Sequence, residues 1–244
     1  MLLPEVPAHE LVGGRATAAT VRLPAAGVAL GLDESGTPLV IRLFGEKPVR
    51  VRVVSTGPLA QLLGYRAVAL GAKVTVVTDA VAAWAPLVSA LPRQGAVPAA
   101  MRPSAGAHVT GRPPLTVLPS GSRVPAHGSA GAPSLVVDAT SGSDALPSWE
   151  HGHWQTFVSV DAADELTVAA LADLRTFGLL LCERMPPFAV ERVRDAYGLA
   201  YDRAVWLSQL PPGKIAVAVP GQLALVDLEL SARERSLFDR PRTP

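Results

Sequence analysis

Residues 53–79 constrain the fold of this chain more tightly than any other stretch. Val53-Val54-Ser55-Thr56-Gly57 ends an apolar strand pattern in small residues. Pro58 to Leu70 then carries Leu59, Leu62, Leu63, Ala67 and Leu70 at helical spacing. Gly71 stands where a helix commonly closes with a left-handed residue, and Ala72 to Asp79 reads as a buried strand. Strand, glycine turn, helix and strand form a βαβ unit. Its two strands must be parallel and its crossover right-handed.

Other segments extend this frame. Gly27–Leu32 and Pro38–Phe44 flank the turn residues Asp33-Glu34-Ser35-Gly36, a hairpin signature, and Val49–Val54 alternates apolar with charged residues. Further strands are predicted at Leu115–Leu118, Ser134–Asp138, Gln155–Val160 and Gly178–Cys182. Helices are predicted at Ala80–Leu91 (kinked or shortened by Pro86), Ala163–Leu174, Pro187–Tyr197 and Asp202–Leu210. A closing hairpin joins Lys214–Val219 to Gln222–Leu228, and Ser231-Ala232-Arg233-Glu234 has capping-box spacing. The expected class is α/β: an open, mostly parallel sheet with helices on both faces, P-loop-like or Rossmann-like, and antiparallel hairpins at its edges. Residues 1–20 read as an irregular segment, and 21–244 as a single domain with a Pro/Gly-rich excursion at 92–133.

Composition narrows the function classes. Apolar residues make up 49% of the chain, enough for a sizeable core. Twenty-two basic residues balance 21 acidic ones, so no clustered positive field is available for nucleic acid. No run of about 20 apolar residues offers a membrane span, and Met1–Glu5 lacks the pattern of a signal peptide. The single cysteine, Cys182, sits in an apolar run and reads as a buried structural thiol in a reducing compartment. A cytoplasmic protein without direct membrane insertion is the expectation.

The candidate site is a vestigial nucleotide site. In a P-loop, glycine-rich amides cradle phosphates and a lysine reaches the β- and γ-phosphates. In this chain the loop Ser55-Thr56-Gly57 is short, and no lysine lies between Lys47 and Lys73. A working Walker A is therefore absent, and no catalytic residue is assigned. Ser55, Gly57 and Ala60 also match a dinucleotide fingerprint whose first glycine is replaced, with Asp79 where an acid could meet a ribose; small residues that pack a helix against a strand explain the same pattern. Asp138 ends a Walker B-like strand, although no glutamate follows it, and capping a turn through Thr140 or Ser141 accounts for it equally. Glu150, His151 and His153 form a weak metal-like cluster without a fourth ligand, and the neighbouring Trp149 and Trp154 are candidate interface anchors. No cofactor is assigned, a nucleotide being the one candidate.

Three stretches then carry a resemblance. Gly27 to Gly36, Arg42-Leu43-Phe44 and Tyr65 to Ala72 look like a family of proteins associated with type VII secretion loci in GC-rich bacteria. Leu210-Pro211-Pro212-Gly213-Lys214, the hairpin after it and Ser231-Ala232-Arg233-Glu234 resemble the end of FtsK/HerA-type ATPase domains. The resemblance implies a P-loop ancestor and a place beside a secretion machine, and the missing Walker lysine departs from it. It points to a non-catalytic accessory or scaffold, with secretion-system components as partners or a homo-oligomer as its assembly. The alternatives are a nucleotide-binding regulatory module without hydrolysis and a Rossmann-like NAD(P)-dependent oxidoreductase.

Overall fold

A computed structural model describes residues 27–91, 114–122, 124, 133–140 and 154–238 of the 244-residue chain. The elements run in the order β1 (Gly27–Asp33), β2 (Pro38–Arg42), β3 (Val49–Val54), α1 (Leu59–Ala69), β4 (Lys73–Thr78), α2 (Val81–Ala90), β5 (Leu115–Pro119), β6 (Ser134–Ala139) and β7 (Gln155–Asp161). They continue with β8 (Leu179–Cys182), α3 (Pro187–Tyr197), α4 (Tyr201–Ala204), α5 (Trp206–Gln209), β9 (Lys214–Val219), β10 (Gln222–Leu228) and α6 (Ala232–Phe238). All ten strands join one sheet in the order β2-β1-β10-β9-β8-β3-β7-β6-β4-β5.

From β8 to β5 every neighbouring pair is parallel. From β2 to β8 every pair is antiparallel, so the two hairpins lie side by side at one edge. Strand alternation sends side chains to two cores. Val51, Val53, Leu135, Val137 and Leu181 meet Leu59, Leu63 and Ala67 of α1 on one face. Val54, Leu180 and Cys182 meet Ala189, Val193 and Leu207 on the other. Helices therefore cover both faces, as the α/β pattern requires.

Gly31 is needed where β1 approaches β10. A Cβ built on it would collide with the Asp227 carbonyl oxygen, beside a register shift between Ala29 and Gly31. Gly71 takes φ +86 after α1, the left-handed conformation expected there.

Two helix expectations are corrected. Ala163–Leu174 is not an α-helix: the segment forms 3-10 turns at Ala169–Leu171 and Leu174–Thr176. Arg52 explains part of this, because its guanidinium takes the Ala170 carbonyl at 2.7 Å, an acceptor a continuing helix would use. The helix expected at Asp202–Leu210 is two short helices, α4 and α5, meeting at Val205. Pro86, expected to kink or shorten its helix, is contained within α2, which runs from Val81 to Ala90. No helix among the described residues is long and apolar enough to cross a membrane.

Candidate functional site

Parallel strands bring their C-terminal ends to one edge, and in open α/β sheets ligands bind there. Ser55-Thr56-Gly57 leaves β3 at this edge and leads into α1. Asp138 near the end of β6 and Asp161 at the end of β7 share the edge, as does Asp79 just after β4. Glu183 follows β8 directly, and its N–H donates to the Val54 carbonyl at 3.0 Å. The β3–β8 register sets Val54 against Cys182, so Glu183 lies level with Ser55.

The loop's donors are engaged from within the molecule. Glu183 Oε2 accepts the Thr56 N–H at 2.9 Å, the Gly57 N–H at 3.3 Å and the Thr56 hydroxyl at 3.3 Å. Ser55 Oγ accepts the same Gly57 N–H at 2.9 Å. A Cβ at Gly57 would stand 2.7 Å from Glu183 Oε1, so a larger residue there would make the Glu183 carboxylate shift. The start of α1 has no side-chain cap and no acid in its first turn. Glu183 supplies negative charge to that end of the helix dipole from a distant part of the sequence.

Beneath the loop lies a buried cation. Arg52 of β3 pairs with Asp161, donates to Ser159 Oγ at 3.1 Å and stands 5.2 Å from the Phe177 ring centroid. Asp173 is a further carboxylate at 3.9 Å. Burial pushes the Asp161 carboxyl above its ordinary value, with Arg52 opposing that shift. Arg52 is thus held in the interior. Asp138 accepts the Thr140 hydroxyl at 2.7 Å and the Thr140 N–H at 3.2 Å, a turn-closing arrangement.

The sheet order separates residues that sequence pattern alone groups together. In a dinucleotide fold the acid that meets the ribose follows the strand beside the glycine turn. In this sheet β7 and β6 stand between β3 and β4, so Asp79 is three strand spacings, about 14 Å, from the loop. That arrangement is not the Rossmann one. Asp138 lies on the same edge as Gly57 but two strands away. No lysine approaches the loop from the described elements: Lys47 precedes β3 and Lys73 begins β4, both at the opposite edge, and Lys214 is paired with Asp227 at 2.9 Å.

Trp154 lies at the opposite edge too, at the start of β7, with φ +62. Its N–H donates to Gly45 at 2.8 Å, its carbonyl accepts from Ser134 at 3.0 Å, and its indole packs on the α1-side core. It anchors its own domain. Trp149, Glu150, His151 and His153 lie outside the described residues, as does most of the 92–133 excursion. Among the described residues no group of three or more His, Cys, Asp or Glu could hold a metal ion. Sequence reasoning missed Glu183, and it missed Phe188, Tyr201 and Trp206, which are exposed on α3, α4 and α5.

No protein-family model matches the chain, and no curated protein does. Among solved structures, it is similar to VirB4 of Thermoanaerobacter pseudethanolicus, with a TM-score of 0.53 and 9% identity over 86% of this chain and 98% of that one. Weaker likenesses join it to the cytoplasmic domain of EssC, with a TM-score of 0.46 and 12% identity over 87% of this chain and 44% of that one. The cytoplasmic domain of the Thermomonospora curvata type VII secretion ATPase EccC follows, with a TM-score of 0.45 and 12% identity over 90% of this chain and 32% of that one. At such identities the likeness is one of fold.

Proposed function

We propose that this chain is a non-hydrolysing relative of secretion ATPase domains, which works in the cytoplasm by contact with secretion-system components. One observation carries the reading: the loop amides that a P-loop would offer to phosphate are hydrogen-bonded to the Glu183 carboxylate. Two further features support it. Acidic residues stand at the ends of β4, β6, β7 and β8, where a triphosphate would bring more negative charge. The loop contains no lysine to offset that charge. The fold shared with VirB4 and the resemblance in the hairpin and tail segments support a place beside a secretion machine. A scaffold of this kind keeps the shape of an ATPase module while lacking its chemistry.

The test is a thermal-shift panel with ATP, ADP, GTP and NAD, each with and without magnesium. A ligand bound only by the folded state raises the melting temperature by mass action. The expected result is no shift with any of them at millimolar concentration. A magnesium-dependent rise with ATP would instead make the chain a nucleotide-binding regulatory module. Affinity purification from a cell carrying a secretion locus tests the partner, and recovery of the chain alone as a monomer would sink the scaffold role.

A further inference from the structure

The Glu183 contact is more than a stabilising bridge between two loops. Its backbone is already fixed by the hydrogen bond to Val54. The side chain makes a separate set of bonds: it turns across the β3–α1 loop and places one carboxylate oxygen among three donors. Consecutive backbone N–H groups converging on one oxygen are the means by which a backbone nest receives an anion. Gly57 has no Cβ to displace the carboxylate from this position. Neighbouring acids have other partners, Asp138 with Thr140 and Asp161 with Arg52, so Glu183 is the carboxylate directed at the loop.

We infer that Glu183 is a built-in plug: an intramolecular anion that occupies the loop and keeps external oxyanions out. The contact is autoinhibitory in the simple sense that one acceptor excludes another. Withdrawing the carboxylate, by substitution or by a partner that offers it an arginine, removes the acceptor that the Thr56 and Gly57 amides share, and a phosphate oxygen takes its place beside the Ser55 Oγ that also holds the Gly57 N–H. No covalent bond changes; the donors exchange one oxyanion for another. The inference deepens the function proposed above and rests on it.

The experiment uses the full chain labelled with nitrogen-15, titrated with inorganic phosphate and with pyrophosphate at constant ionic strength, sodium chloride serving as the reference. The readout is the pair of amide resonances from Thr56 and Gly57. In the wild type these are expected to show no saturable change. In Glu183→Ala, and in Glu183→Ser, whose hydroxyl is too short to reach the loop, both resonances are expected to shift saturably. The apparent affinity should exceed that of the wild type by about tenfold or more. Should Glu183→Ala lose its native spectrum, Glu183→Ser decides the matter alone. Folded variants that remain silent overturn the plug and leave the proposed function standing. Saturable phosphate binding by the wild type also overturns the plug, and binding of magnesium–ATP by the wild type overturns the proposed function itself.

Discussion

Cys182 lies fully buried one residue before Glu183. Burial, and then the neighbouring Glu183 charge, push its thiol up to about 12. The thiolate needed for alkylation is therefore scarce at neutral pH. Maleimide labelling of the native protein should proceed only as fast as the β8 region opens, and should accelerate sharply in denaturant. Rapid labelling of the native state would show that the α3-side core is open to solvent. The buried thiol was legible in the sequence, because Gly178 to Cys182 is continuously apolar. Glu183 was not legible, since its target lies 126 residues away. Only the placement of β8 beside β3 makes the pair neighbours, and local pattern carries no record of strand order.

At the level of elements, α6 is held by a capping box that doubles as an ion pair. Glu234 accepts from the Ser231 N–H at 2.7 Å, and its own N–H donates to Ser231 Oγ at 3.2 Å. The same carboxylate pairs with Arg66 of α1 at 2.7 Å, and Arg66 also reaches the carbonyls of Ala29 and Glu229. Burial pushes the Glu234 carboxyl up, but the hydrogen bonds from Arg66 and Ser231 outweigh it and hold the group below its ordinary value. A depressed carboxyl stabilises the fold above the unfolded glutamate value of about 4.3 and loses that contribution as pH falls through the lower folded value. Acidification should thus release α6 early, seen as lower protection of the 232–238 amides against exchange, relative to their intrinsic rates at each pH. Glu234→Ala should cost about 2–3 kcal/mol in urea unfolding by leaving Arg66 without its carboxylate. An unchanged midpoint would show that the pair contributes nothing net. The capping box was readable from spacing alone. Its link to Arg66 was not: helical spacing puts Arg66 among Leu59, Leu62, Leu63 and Leu70 on the apolar stripe of α1, and says nothing of the carboxylate it meets there.

Across the whole molecule, the two cores share β3, β8, β9 and β10. Val53 and Val54 point to opposite clusters, as do Leu181 and Cys182. Neither core can lose its strands without the other losing its own, so urea unfolding should be a single transition. Tryptophan fluorescence and far-ultraviolet circular dichroism should give the same midpoint. Separated midpoints would mean that the antiparallel hairpins and the parallel half melt independently. Most strands and long helices were legible because their periods of two and of 3.6 are local properties. The 163–174 helix was misread in part because Arg52, far away in sequence, claims a carbonyl there.

The pairing of Gly31 with Leu228 also governs how the chain can be assembled in time. On the ribosome β1 and β2 emerge well before β10, and the flank of β1 that faces away from β2 stays bare until β10 has been made. β3 likewise waits for β7 and β8 on either side. Contacts between such distant partners delay folding, because a long loop must close before either partner is rewarded. During synthesis the nascent β1–β2 hairpin presents an unpaired edge, a template for association with other nascent copies. Release of β10 from the exit tunnel is thus the moment at which this edge stops needing protection.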